Sequence, residues 1–133
     1  MIYYSIIYFI FLGSILNGQI GDLIFEERFD NLDNWLIEDG NGSWGWGNGE
    51  LQYYHPDNVS ISEIPNEPGN NALKIISLQE SGPGIVDQWG NSLNYTSGKV
   101  TSKSKISVQY GVIETRIQVP DLDLGGWPAF WML

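Results

Sequence analysis

The sequence predicts an all-β sandwich. Short runs rich in Ile, Val, Tyr, Trp and Thr recur along the chain, divided by Gly, Asn, Pro and Asp. No window carries a long apolar period of 3.6 residues. The 16 Gly and 6 Pro among 133 residues place turns at frequent intervals.

The expected strands follow from these runs in order. Ile24–Phe29 opens with apolar residues, Glu50–Tyr54 holds paired tyrosines, and Val59–Ser62 alternates V-S-I-S. Leu73–Leu78 and Lys99–Ser102 are short apolar or β-branched runs. Tyr110–Val119 is the clearest strand: a period of two puts Ile113, Thr115, Ile117 and Val119 on one face and Val112, Glu114, Arg116 and Gln118 on the other. Glu114 is then an ion-pair partner for Arg116. Trp127–Leu133 is apolar on both faces, as in a strand at the middle of a covered sheet. Turns are expected at Asp39–Gly49, Pro65–Asn71, Gly82–Gly84, Gly90–Asn94 and Pro120–Gly126. Nothing after Leu133 covers the last strand, so the sequence reads as a fragment.

Composition excludes several chemistries. Sixteen acidic against six basic side chains give a formal charge of −10. That charge repels phosphate backbones and anionic membrane surfaces. With no Cys, there is no disulfide scaffold, thiolate zinc site or cysteine nucleophile. One His leaves no His-rich metal site, and His55, before Pro56 and Asp57, reads as a turn residue.

Residues 1–18 read as a signal peptide. Ile2–Leu16 has no charged side chain and is shorter than the roughly 20 residues that span a bilayer comfortably. Small and polar residues follow, and cleavage is expected after Gly18. The Met1 amine is its only positive charge, and an uncleaved anchor is the alternative. Residues 19–133 then form the secreted or periplasmic part.

The aromatics admit two arrangements. Trp44, Trp46, Trp127 and Trp131 pack a core, or they present flat indoles to sugar rings. On one strand face Trp127 and Trp131 lie roughly 13 Å apart at about 3.3 Å rise per residue, a spacing that suits a chain ligand. Gly40, Gly42 and Gly45 satisfy G-x-G-x-x-G without a βαβ context, so the match is fortuitous. A glycosidase needs two carboxylates about 5 to 5.5 Å apart if it retains configuration. Asp121 and Asp123 sit in a turn, and Glu26 and Glu27 point to opposite faces, so no pair here serves. Acidic groups near Glu26, Glu27 and Asp30 form either a calcium site or a solvated turn. Sequons occur at Asn41, Asn58 and Asn94.

The runs FEERFD, GWGNGELQYY, YTSGKVTSK, YGVIETRIQVP and GGWPAFWML together resemble the N-terminal half of glycoside hydrolase family 16, most of all its laminarinase-type endo-β-1,3-glucanases. The resemblance covers Leu23–Leu133. It implies a concanavalin-like β-jelly-roll of two stacked antiparallel sheets with a glycan cleft on the concave face, incomplete here. It implies a monomer acting on β-1,3 or mixed β-1,3/1,4 glucan with retention. The family's nucleophile and acid lie on an E-x-D-x-x-E strand that this sequence does not contain, so no catalytic residue is assigned and the chain alone is expected to be inactive. Asn48, Glu50, Arg116, Trp127 and Trp131 match the family's sugar-contacting positions. No cofactor is implied for catalysis, while a structural calcium would be held through Glu27 and the backbone of Gly69. The rival readings are a β-glucan-recognition protein of the same fold and an unrelated lectin-like sandwich.

Overall fold

The computed structural model describes residues 21–82, 84–121, 123 and 125–132. The signal-peptide reading of residues 1–18 lies outside them. The described residues form an all-β chain of short, mainly antiparallel ladders, consistent with a jelly-roll sandwich. β1 (Leu36–Ile37) pairs antiparallel with β9 (Val100–Thr101). β3 (Val59–Glu63) and β4 (Asn71–Ile75) form the longest hairpin, from Val59 opposite Ile75 to Glu63 opposite Asn71. β6 (Ile85–Val86) and β7 (Ser92–Leu93) form a smaller one. A fourth, three-stranded sheet joins β2 (Gln52–Tyr54), β8 (Tyr95–Ser97) and β5 (Leu78–Gln79), with β8 in the middle. β5 runs antiparallel to β8, whereas β2 runs parallel to it, a departure from the all-antiparallel expectation.

Local chemistry explains where the strands break. The expected strand Leu73–Leu78 divides at Ile76 and Ser77. There the Asn58 side chain donates to the Ile76 carbonyl at 2.9 Å and the Ile76 N–H donates to the Asn58 carbonyl at 2.9 Å. A side chain that offers the backbone an alternative partner ends the ladder. The expected turn Pro65–Asn71 forms, closed by the Ile64 N–H on the Asn70 carbonyl at 2.8 Å. Asp39–Gly49 is a loop as read, and the expected turn Gly90–Asn94 instead contains β7.

Three expected strands do not form. Ile24–Phe29 is broken by its own acid: Glu27 accepts the Phe29 N–H at 2.8 Å, and Phe29 takes φ 55°. Residues 110–119 and 127–132 make no ladder, and every one of them is exposed. A strand persists only where a neighbour takes its N–H and C=O groups, and no described residue does so here. The two-faced division of Tyr110–Val119 therefore has no sheet to act on. The expected Glu114–Arg116 pair is also absent, because Arg116 reaches Glu67 instead.

Buried polar groups hold the ladders in place. Val59 is the buried apolar residue among those described, against buried Asn41, Asn58, Asp87 and Thr96. Asn58 donates to Thr96 Oγ1 at 3.1 Å, and Thr96 in turn donates to Glu80, so one junction ties the β3–β4 hairpin to β8 and to the end of β5. Gly98 passes close beneath it. A Cβ there would lie 2.6 Å from Val59 Cγ2 and 3.1 Å from Ile75 Cγ2.

Asp87 is the second node. It accepts the side-chain amide of Asn41 at 2.9 Å, the backbone N–H of Trp89 at 2.9 Å, and both the backbone N–H (2.8 Å) and side-chain amide (3.0 Å) of Asn91. Burial acts to raise its pKa, and these donors outweigh that effect, holding the carboxyl at about 2 against the ordinary 3.8.

Two predictions follow from the nodes. Gly98→Ala is expected to cost about 1–3 kcal/mol of stability by overpacking, read as a lower midpoint in chemical denaturation. The folded pKa of Asp87 lies below its unfolded value, so its contribution is present above the unfolded value and fades as pH falls from 3.8 towards about 2. Asp87→Asn should flatten the pH dependence of the unfolding midpoint in that window. An unchanged slope would show that this carboxylate is not the group that titrates.

Candidate functional site

The best-defined polar surface is built on β2 and the loop before it. Trp44, Gly45, Trp46 and Gly47 all take positive φ, of 59°, 55°, 55° and 85°. Gly45 is required twice over. Its φ is left-handed, and a Cβ would meet the Glu50 backbone N at 2.5 Å and O at 2.7 Å. This tight coil returns the chain into β2. Glu50, Gln52 and Tyr54, at alternate positions, then share one side.

These three side chains form a closed row. The Tyr54 hydroxyl donates to Glu50 Oε2 at 2.6 Å. The Gln52 amide donates to Glu50 Oε2 at 3.1 Å and to the Tyr54 oxygen at 2.9 Å. Asn48 extends the row by donating to Glu50 Oε1 at 3.0 Å. Burial, together with the bond to Glu50, pushes the Tyr54 phenol up to about 12. Behind the row, Trp46 packs at a tilt of 59° against Tyr54, with ring centroids 5.9 Å apart. Lys99 Nζ lies 3.6 Å from the Trp46 ring centroid and 5.3 Å from that of Tyr54, a cation–π contact worth on the order of 0.5–2 kcal/mol. The Trp46 indole N–H is buried without a partner, a state that costs about 1–3 kcal/mol.

Of the sugar-contacting residues expected from the sequence, the structure brings Asn48 and Glu50 together. Arg116 lies elsewhere, bound through both guanidinium nitrogens to Glu67 in the β3–β4 turn. Trp127 is 92% exposed and Trp131 61%, and neither lies on a strand, so no sheet sets the spacing expected between them. Gln52, Tyr54 and Lys99 belong to the site without having been singled out, and Trp46, read as either a core or a sugar-facing indole, packs against Tyr54. The alternate spacing of Glu50, Gln52 and Tyr54 was the signal for the first two.

The calcium expectation meets an occupied carboxylate. Glu27 accepts N–H bonds from Phe29, from Asn34 at 3.1 Å and from the Trp35 indole at 3.0 Å, and Trp35 stacks on Phe29. Burial raises its pKa, yet these donors lower it overall. The Gly69 N–H donates to Glu63 at 2.8 Å. Among the described residues no three His, Cys, Asp or Glu gather to hold a metal ion. The sequon residues Asn41 and Asn58 are buried, and Asn94 is exposed. His55 caps a short turn, its Nδ1 accepting the Asp57 N–H at 3.2 Å.

Fold and site define an all-β chain with an amide-, hydroxyl- and indole-rich surface and, among the described residues, no paired carboxylates beside it. Sequence comparison gives that class a direction. The chain is 32% identical over 122 residues to the glucan endo-1,3-beta-glucosidase A1 of Niallia circulans, covering 84% of this chain and 17% of that protein. It is 31% identical to the beta-glucanase of Rhodothermus marinus, covering 84% and 36%. It is 32% identical to the clotting factor G alpha subunit of Tachypleus tridentatus, covering 83% and 14%. The chain thus resembles glucanases over most of its own length while spanning only a minor part of theirs. No family model matches it, and no solved structure does. Among the described residues no helix is long and apolar enough to cross a membrane.

The Glu50–Tyr54 bond gives a direct test. Glu50→Gln removes the carboxylate that holds the phenol proton, so the Tyr54 pKa should fall from about 12 towards its ordinary 10.0 in a spectrophotometric titration. A titration unmoved by the substitution would mean that burial alone sets it.

Proposed function

We propose that this chain is the N-terminal part of a secreted, laminarinase-type family 16 glycoside hydrolase domain. It binds β-1,3 or mixed β-1,3/1,4 glucan, which the complete domain cleaves with retention of configuration. The observation that carries this reading is the alignment of over four-fifths of the chain with proteins named as glucanases. Three features support it. The Asn48–Glu50–Gln52–Tyr54 row offers the alternating donors and acceptors that hydroxyl-rich ligands need, and Trp127 and Trp131 present exposed indoles. The exposed apolar residues at 108–119 and 127–132 are what an unfinished sandwich leaves open.

The two carboxylates of a retaining mechanism belong to the E-x-D-x-x-E strand, outside this sequence. The 133 residues contribute binding and positioning, not bond cleavage. Secretion follows from the apolar leader, with Gln19 as the first mature residue. A second reading is recognition without hydrolysis, since one relative over the same stretch is named as a clotting-factor subunit and not as a glucanase.

The full-length protein should release oligosaccharides from laminarin, and this chain alone should release none. Detectable cleavage by the isolated chain would overturn the assignment, whereas binding without products from the full-length protein would favour the second reading. Trp131→Ala should weaken laminarin binding about tenfold or more, the effect of losing about 1.5–3 kcal/mol of aromatic burial. Indole fluorescence titration measures it, and an unchanged affinity would remove Trp131 from the site.

A further inference from the structure

The sequons at Asn41, Asn58 and Asn94 have no part in the function proposed above, and the fold treats them differently. We infer that Asn94 is the N-glycan acceptor of this protein, and that Asn41 and Asn58 stay unmodified in the folded chain. The inference rests on the reading that the chain is secreted, by a route that supplies a lipid-linked oligosaccharide and its transferase. It does not depend on glucan binding.

The attachment atom decides the matter. N-glycosylation uses the side-chain amide nitrogen of Asn in N-x-S/T. An N–C bond forms to the anomeric carbon of the donor sugar, and the bond from that carbon to pyrophosphate oxygen breaks. One amide proton goes to a base of the transferase, and the lipid pyrophosphate leaves. The product amide keeps a single N–H and gains a bulky, solvated substituent.

Asn58 accommodates neither change. It is 6% exposed, and its Nδ2 donates both to the Ile76 carbonyl at 2.9 Å and to Thr96 Oγ1 at 3.1 Å. Two bonds need two hydrogens, and the glycosylated amide has one. Asn41 is 8% exposed, and its Nδ2 donates to Asp87 at 2.9 Å. A glycan on that nitrogen would have to displace the packing around a carboxylate that also holds Trp89 and Asn91.

Asn94 differs in each respect. It lies between β7 and β8, is exposed, and its side-chain amide has no partner among the described residues. Its backbone carbonyl accepts the Glu80 N–H at 2.8 Å, a bond that a glycan leaves untouched. Asn94 borders a hollow of about 200 Å³ whose wall includes the exposed Leu51, so an innermost sugar has room and an apolar neighbour. Tyr95 stands opposite Gln52, and alternation from Tyr95 turns Asn94 away from the side of Gln52 and Tyr54. The β2 row therefore stays open.

The fold also sets the timing. Thr96, the third residue of this sequon, is 2% exposed, with its hydroxyl engaged by Asn58 and Glu80. A transferase that reads this hydroxyl meets it only before β8 joins its sheet. Modification thus precedes folding, and the fold then retains chains modified at Asn94.

The test expresses the full-length protein in a mammalian secretory host, once with residues 1–18 and once with the host's own leader in their place. Medium and membrane fractions are treated with peptide N-glycosidase, which turns each glycosylated Asn into Asp, and peptide masses are mapped. Asp is expected at position 94, with Asn kept at 41 and 58 in the secreted protein. Asn94→Gln should abolish the gel shift on deglycosylation and leave the circular dichroism spectrum unchanged. Unmodified Asn94 in protein made with the host leader would overturn the inference, as would a glycan at Asn41 or Asn58 in most secreted molecules. If residues 1–18 fail to deliver the chain while the host leader yields protein modified at Asn94, the secretion reading falls and the acceptor assignment stands. Protein folded without a glycan and then given transferase and donor should stay unmodified, and modification of it at Asn94 would overturn the timing.

Discussion

The structure depends on the hydrogen bonds of Asn58. Its buried side chain spans the Ile76 carbonyl and the Thr96 hydroxyl, which places three segments distant in sequence around one amide. A domain of this size ordinarily relies on apolar burial, and here Val59 is the buried apolar residue among those described. Polar junctions then carry specificity. An amide left unpaired in that position costs about 1–3 kcal/mol, so the strands around it have one acceptable register. Thr96 stands opposite both Tyr53 and Leu78, so β2 and β5 are aligned on the same residue that Asn58 holds.

That alignment reaches the candidate site. The Tyr54 partner across the ladder is Ser97, one residue after Thr96, and its backbone N–H and C=O also bridge to Gly40. Glu50 lies four residues before Tyr54 and receives its hydroxyl. The chain between Asn41 and Glu50 is thus pinned at both ends, by Asp87 at one and by Tyr54 at the other. Positive φ values in between are the consequence: so few residues can reverse direction over Glu50 only through left-handed steps, which glycine supplies and Trp44 and Trp46 are made to adopt. Strain and site share one loop because the loop is clamped, not because it is loose.

Much of this was legible in the sequence where local pattern decides the outcome. V-S-I-S at Val59–Ser62 and the Pro65–Asn71 turn formed as a hairpin because alternation and turn residues agree there. Of the expected Glu50–Tyr54 strand, Gln52–Tyr54 formed. The two-residue pieces β1, β6 and β7 were not legible, since a distant partner and not propensity defines so short a ladder. Ile24–Phe29 was misread because periodicity does not register that Glu27 bonds back to its own neighbour. Arg116 was assigned to Glu114 from strand spacing, and without a strand the guanidinium found the turn carboxylate of Glu67. In the site, Asn48 and Glu50 were visible in their motif, while Lys99 over Trp46 is a contact between residues more than fifty positions apart that no local spacing reveals.

The same physics bears on how the acids of this chain could serve the proposed glucan chemistry. A retaining glycosidase needs one carboxyl to give a proton and another to attack the sugar, on opposite sides of the bond. Glu50 is the acid of the β2 row, and donors from Asn48, Gln52 and Tyr54 already converge on both its oxygens. Such a carboxylate is committed to ordering its neighbours and is poorly placed to become a nucleophile. Asp87 is committed still more fully. The acids of the described polar clusters are therefore organisers of amides, hydroxyls and indoles. In the hydrolase proposed here, the cutting strand has to be laid against a surface whose binding groups are fixed before it docks.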